Sequence, residues 1–286
     1  MEILNVKINR LSKKQFKELI VQSLVKSGQT KISKINTEFI QRCQDNKRFL
    51  DVINVSDINL VDGRGVLWAA RYLTLPISDN NFIRYIQAVW QMVYSGFLIV
   101  LRPKFITYPI PTAIPGVEAL NLIMRVAADS KTGVFLFGSS KKALDLAVRN
   151  IKKRFPELKI AGSLDGYSFQ KDSSIDPVVE INRTNAKILI VALGSPKQEY
   201  WINDNIGRLT KVKIAVGEGG TLDRVAHPAH KAPKCINLIG LEWLWRSFVN
   251  KSRTETRNRF QKFWKAVPSF IGRVVKWKIR YGQAQI

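Results

Sequence analysis

Val191-Ala192-Leu193-Gly194-Ser195-Pro196-Lys197-Gln198-Glu199-Tyr200-Trp201 is the stretch that decides the fold. The β-branched run from Ile188 to Val191 reads as a buried strand. Gly194, Ser195 and Pro196 turn the chain, and Lys197, Gln198 and Glu199 fall where a helix begins. A strand that turns tightly into a helix N-terminus is where open α/β sheets bind ligands. This turn brings a cation, an amide and a carboxylate to that mouth. Taken alone, the segment also fits an ordinary αβ connection with solvated polar residues.

Working outward, strand and helix patterns alternate regularly from Gly133 onward. Strands are expected at Val134 to Phe137, Lys159 to Gly162, Lys187 to Leu193 and Lys213 to Val216. Helices are expected at Lys141 to Phe155, Ile175 to Asn185 and Lys197 to Ile206. Such spacing implies right-handed crossovers and a parallel, Rossmann-like α/β sheet flanked by helices. Upstream, Ile3 to Ile8 reads as a strand, and Lys13 to Lys26, Thr37 to Asn46, Gly65 to Tyr72 and Gly116 to Ala128 read as helices. Val52 to Val55 and Asn59 to Val61 are short apolar runs leading into the Asp62-Gly63 turn. Beyond Pro233 the pattern becomes helical and basic. The expected organisation is a core over 1–233, with a hydrophobic insertion at about 78–108, and an appendage over 234–286.

The 286 residues can bury a sizeable core. The balance of 46 Lys and Arg against 22 Asp and Glu, a formal +24, calls for an anionic partner. Cys43 and Cys235 form no metal or disulfide pattern. Met1 to Lys14 has no apolar core segment, so the cytoplasm is the expected compartment. From Arg246 onward, eleven basic residues and one acidic residue are interleaved with Trp245, Phe248, Phe260, Phe263, Trp264, Phe270 and Trp277. This composition describes an interfacial helix on anionic lipid, with single-stranded nucleic acid as the disfavoured alternative. Phe82 to Leu101 is apolar but holds Arg84, Gln87, Gln91, Ser95 and Gly96, and its cleaner core starts only at Val89. It reads as a helix or hairpin dipping into a membrane, then as a buried core helix, and least as a full span.

Asp62, between an apolar run and Gly63 and Gly65, has the setting of a general base. It equally suits a plain helix cap. Gly138 and Ser139, and then Gly194 before Lys197, supply helix N-termini able to hold a diphosphate. Gln198 would bond a sugar or base edge. Gly217 and Gly219 would let backbone approach a nucleotide, though the dinucleotide fingerprint lacks its third glycine. The sequence holds no Asp-x-Asp pair, so no metal cofactor is expected. His227 and His230 read as solvated loop residues.

Several stretches, in order, resemble the WecG/TagA/CpsF glycosyltransferases (glycosyltransferase family 26). They are Asp62-Gly63-Arg64-Gly65 through Arg71, Val134 to Lys142, Asp165-Gly166-Tyr167, Val191 to Trp201, Gly217 to Asp223, Lys231 to Lys234 and Gly240 to Arg246. The resemblance implies an inverting transferase that moves an N-acetylmannosamine-type sugar from a UDP donor to a polyprenyl-diphosphate-linked acceptor, at the cytoplasmic face of the membrane. It implies Asp62 as the base. Asn36, Asp165, Gln198, Glu199 and Asp223 would join the substrate site, and Lys197, Lys231, Arg246 and Arg253 would supply cations. Two departures stand out. Lys34-Ile35-Asn36 keeps the family's asparagine but replaces its threonine, and Ala113 stands where the family carries arginine. They leave open a catalytically weakened membrane-bound binding protein. The sequence also leaves open a homo-oligomer.

Overall fold

The computed structural model describes residues 1–168, 175–227 and 253–284. Six parallel strands form the main sheet: β3 (Thr30–Ile35), β4 (Ile58–Val61), β5 (Gly133–Gly138), β6 (Ile160–Leu164), β7 (Ala186–Ala192) and β8 (Ile214–Gly217). Their order across the sheet is β4-β3-β8-β7-β5-β6. Period-two alternation sends Val134, Leu136, Ile188 and Ile190 into the core on one face, and Phe135, Phe137, Leu189 and Val191 into the core on the other. The first face is covered by α1 (Lys13–Val25), α6 (Gly116–Asp129) and α7 (Lys141–Arg154). The second is covered by α8 (Pro177–Asn182) and α9 (Lys197–Asn205). After β5 the chain runs to the β6 edge, and after β7 it runs the opposite way to β8. The loops after β5 and β7 therefore diverge and open a crevice at the carboxyl ends of the strands.

A third core joins α2 (Thr37–Asp45), α3 (Lys47–Asn54) and α4 (Arg64–Leu73) to the far end of the chain. The final helix, α11 (Arg253–Tyr281), brings Phe270 and Val274 into it. Lys278 of the same helix is buried, donating to the Tyr72 and Leu75 carbonyls and to Gln91 Oε1. Phe270 and Lys278 are thus packed inside rather than presented to lipid, unlike the interfacial pattern expected for this region.

Some local expectations change. Ile3 to Ile8 is a hairpin, β1 (Glu2–Ile3) and β2 (Val6–Lys7), turned by Leu4 and Asn5 at φ 50 and 64. Apolar spacing alone does not show such a turn. The Val52 to Val55 run belongs mostly to α3, which buries Phe49, Val52 and Ile53 on one side. Strand β3 was not expected, because Lys31 and Lys34 interrupt its apolar run. Phe82 to Leu101 is one 21-residue helix, α5 (Asn81–Leu101), not a hairpin. No helix among the described residues is long and apolar enough to cross a membrane.

Candidate active site

Nearly all the expected site residues that the structure describes collect at the carboxyl ends of the six strands. Asp62 follows β4, and its backbone N–H donates to the Ile35 carbonyl at 2.8 Å, which ties the loop to β3. Gly63 has φ 125, open to glycine alone, and takes the cap position of α4 without a side-chain hydrogen bond. The Asp62 carboxylate is therefore not used as the helix cap. It stays about a quarter exposed at the helix N-terminus, with Lys34 Nζ 4.0 Å away. A Cβ at Gly65 would lie 2.6 Å from the Thr37 side chain, so α2 and α4 start almost in contact. Asn36 caps α2, with Oδ1 accepting from the Phe39 N–H at 2.9 Å.

Lys34 lies in β3, with its ammonium buried. It bonds Glu218 Oε2 and reaches the Thr221 hydroxyl at 3.4 Å. Glu218 is fully buried, and its other carboxylate oxygen has no hydrogen-bond partner among the described residues. Burial pushes the Glu218 carboxyl above the ordinary carboxylate range, and Lys34 opposes that rise. Glu218 takes most of the Lys34 charge, leaving the Asp62 carboxylate at the rim. Arg224 joins this group, donating to Thr221 Oγ1 at 2.9 Å. Ile114 N–H bonds the Val61 carbonyl, so residues 113–116 run beside the end of β4. A Cβ at Gly116 would collide with Lys34, Thr221 and Arg224. Two cations, Lys34 and Arg224, thus stand at the start of α6, close to Ala113. The Arg224 role was not foreseen, because only the topology brings α10 (Thr221–Ala226) against α6.

Across the crevice, Gly138 has φ 114, and a Cβ there would collide with the Ala192 backbone. Ser139 also has positive φ, and its hydroxyl donates to Asp223 Oδ1 at 2.6 Å. Ser140, not Ser139, caps α7. Asp165 accepts from the Tyr167 and Ser168 N–H groups and from the Ser168 hydroxyl. Burial alone would raise its pKa, but these bonds, with Lys141 nearby, hold it below the usual range.

The turn after β7 differs from its sequence reading. Gly194 has φ 79, and Lys197 is exposed as expected. Gln198 and Glu199, however, are buried rather than offered to the mouth. Gln198 Oε1 accepts from the Gly219 N–H at 2.8 Å, and its Nε2 donates to Glu199 Oε1 at 2.7 Å. A Cβ at Gly217 would lie 2.7 Å from Gln198 Nε2. Gln198 therefore braces the glycine loop after β8, and a side chain at Gly217 would displace its amide. Burial raises the Glu199 pKa; the Gln198 and Ser195 side chains and Arg42 counter it. Arg42, on α2, lies 3.4 Å from the Ser195 hydroxyl and is a second cation that sequence spacing did not reveal. Lys231 and Arg246 lie outside the described residues, and Arg253 is described only as the first residue of α11. Among the described residues, no three His, Cys, Asp or Glu side chains are grouped as a metal site.

A family model described as Glycosyl transferase WecG/TagA/CpsF family matches residues 1–81 and 77–284. A protein of Bacillus subtilis (strain 168) is 28% identical over 177 residues, which is 62% of this chain and 68% of that protein. One of Bacillus spizizenii is 29% identical over 173 residues, covering 60% of this chain and 66% of its own length. One of Staphylococcus aureus (strain MRSA252) is 22% identical over 250 residues, 87% of this chain and 92% of its own. All three carry the name N-acetylglucosaminyldiphosphoundecaprenol N-acetyl-beta-D-mannosaminyltransferase.

Proposed function

Because the chain belongs to the WecG/TagA/CpsF family of glycosyl transferases, we propose that it transfers an N-acetylmannosamine-type sugar from a UDP donor to a polyprenyl-diphosphate-linked amino sugar. The reaction takes place at the cytoplasmic face of the membrane. The names of its relatives support the transferred sugar and the acceptor. The observation that carries the chemistry is the Asp62 carboxylate, at a strand end and not used as a cap. In this reading Asp62 takes the proton of the acceptor hydroxyl as its oxygen attacks the anomeric carbon. The bond to the UDP oxygen breaks, and the anomeric centre inverts. Negative charge then grows on the departing diphosphate. The N-termini of α7 and α9, with Arg224 and Arg42, supply the positive potential that stabilises it.

Asp62→Asn keeps the shape but removes the basicity. UDP release with a lipid-linked acceptor in detergent should fall about a hundredfold or more, with UDP-sugar binding unchanged. Full activity at unchanged stability would remove Asp62 from this role. If the diphosphate is held by helix ends and cations, turnover survives EDTA. Loss in EDTA that Mg²⁺ or Mn²⁺ restores would contradict that part of the reading.

A further inference from the structure

Helix α5 is amphipathic the wrong way round. In a helix on a water-soluble domain, the apolar stripe faces the core. Here Phe82, Trp90 and Phe97 are 74%, 67% and 66% exposed, and Tyr85, Ile86 and Tyr94 are exposed between them. The inward stripe is mostly polar or small: Arg84, Gln87, Ala88, Gln91 and Ser95. Each of these makes hydrogen bonds inside the protein. Arg84 donates to the Ser78, Asp79 and Ile279 carbonyls. Gln87 accepts from the Ser78 N–H, and the Ala88 carbonyl accepts from the Tyr72 hydroxyl. Gln91 donates to the Pro76 carbonyl and accepts from Lys278, and Ser95 accepts from Trp68 Nε1. Ala88, Met92 and Ile99 also pack against the core. The inward groups of α5 are thus satisfied by the protein, while the outward face carrying Phe82, Trp90 and Phe97 stays exposed.

The surroundings indicate what covers this face. The segment Asn81–Leu101 contains no Asp or Glu. Arg102 and Lys104 are exposed at its C-terminal end, and Lys276 and Arg280 are exposed on α11 beside it. Aromatic side chains bordered by cations match the apolar boundary and acidic headgroups of a bilayer. The helix is about 32 Å long at 1.5 Å per residue, and it is not apolar enough to span. It therefore lies along the surface. Arg64, two residues after Asp62, donates to the Ile99 carbonyl at 2.8 Å, which fastens the C-terminal end of α5 to the catalytic loop.

We infer that the outward face of α5 is the surface by which this protein lies on an anionic bilayer, and that it sets the Asp62 loop at headgroup level, where a lipid-linked diphosphate is presented. The role of this surface in catalysis rests on the transferase reading above; the binding surface itself does not. The test uses the full chain carrying Phe82→Gln, Trp90→Gln and Phe97→Gln together. All three side chains are exposed, so the fold should be kept, which circular dichroism and Tm verify. Co-sedimentation uses vesicles of phosphatidylglycerol and phosphatidylethanolamine. The wild type should stay bound in 0.5 M salt, because burial of apolar groups is not screened. The triple variant should bind about a hundredfold or more weakly, as expected for about three lost aromatic anchors. Transfer to an acceptor embedded in vesicles should fall with binding, while transfer to a short-chain, water-soluble acceptor stays unchanged. Equal vesicle affinity for the two proteins would overturn the inference. So would a wild-type dimer that the triple variant dissolves without any change in vesicle binding, since the occupant would then be a second copy. If neither protein transfers sugar but vesicle binding still differs, the transferase reading fails and the docking surface stands.

Discussion

The strand-end cluster and helix α5 break the same rule in opposite directions. At the cluster, Lys34 and Glu218 carry charge into the interior, and one Glu218 oxygen has no hydrogen-bond partner among the described residues. Along α5, aromatic rings face outward while every polar group on the inner side is bonded. What each region leaves unsatisfied indicates the chemistry it lacks. Inside the crevice that is polar and charged, as suits a diphosphate and a sugar. On α5 it is apolar, as suits lipid. The positive charge of the chain serves both, by countering a leaving group in one place and meeting headgroups in the other.

The sharpest way to break this comparison is to remove one half of the buried pair. Lys34→Met leaves Glu218 buried and uncompensated, a change that typically costs about 3–5 kcal/mol. The denaturant midpoint should fall accordingly, and activity should fall with it. Adding Glu218→Leu should restore most of the stability but not the activity, because burying a charge is then no longer required. A silent Lys34→Met would mean that water reaches the pair, and the contrast with α5 would lose one side.

The next effect in size tests whether α5 and α11 stand as one platform. Lys278→Met leaves the Leu75 carbonyl and Gln91 Oε1 without this donor, while the Tyr72 carbonyl keeps the Leu75 N–H at 3.2 Å. Unmet buried acceptors cost about 1–3 kcal/mol each, and relaxation should hold the total near the lower end of that sum. Hydrogen exchange should quicken in both helices together. Faster exchange in α11 alone would show that α5 is held by other contacts.

Much of the fold was legible because its signals are periodic. The runs at Val134, Ile188 and Ile214 are short and apolar, and the glycines at 138, 194 and 217 mark their ends. Strand β3 was hidden by Lys31 and Lys34, since a buried lysine looks like a loop residue until its carboxylate is found. The same difficulty hid the cluster itself: Lys34 lies far in sequence from Glu218, Thr221 and Arg224 and meets them only through the pairing of β3 with β8. Asp62 could be placed, but its freedom from capping could not, because that depends on Gly63 taking the cap position. Gln198 and Glu199 read as ligands of the mouth for the opposite reason. A polar pair after a turn is normally solvated, and only the glycine loop of β8 packing over it shows that it is internal. In α5 the apolar composition was plain, but the direction it faces was not.

The smallest expected effect concerns Glu199, a milder case of the buried charge at Glu218. Burial raises its pKa above the ordinary 4.5, and its partners only partly offset this. A raised carboxyl contributes stability that is fully present below the unfolded value and is lost as pH rises through the folded value. Glu199→Gln keeps an acceptor for Gln198 Nε2 and removes the proton exchange. Between pH 4.5 and neutrality, wild-type stability should therefore fall relative to the variant, so the variant should match or exceed it at pH 7–8. Thermal midpoints measured from pH 4 to pH 8 check this. Glu218 titrates with the same sign in both proteins, so the difference between the two curves isolates Glu199. Parallel curves would show that the Glu199 charge is solvated. At the strand ends, charge burial would then rest on the Lys34–Glu218 pair, and the turn after β7 would return to its sequence reading as part of the open mouth.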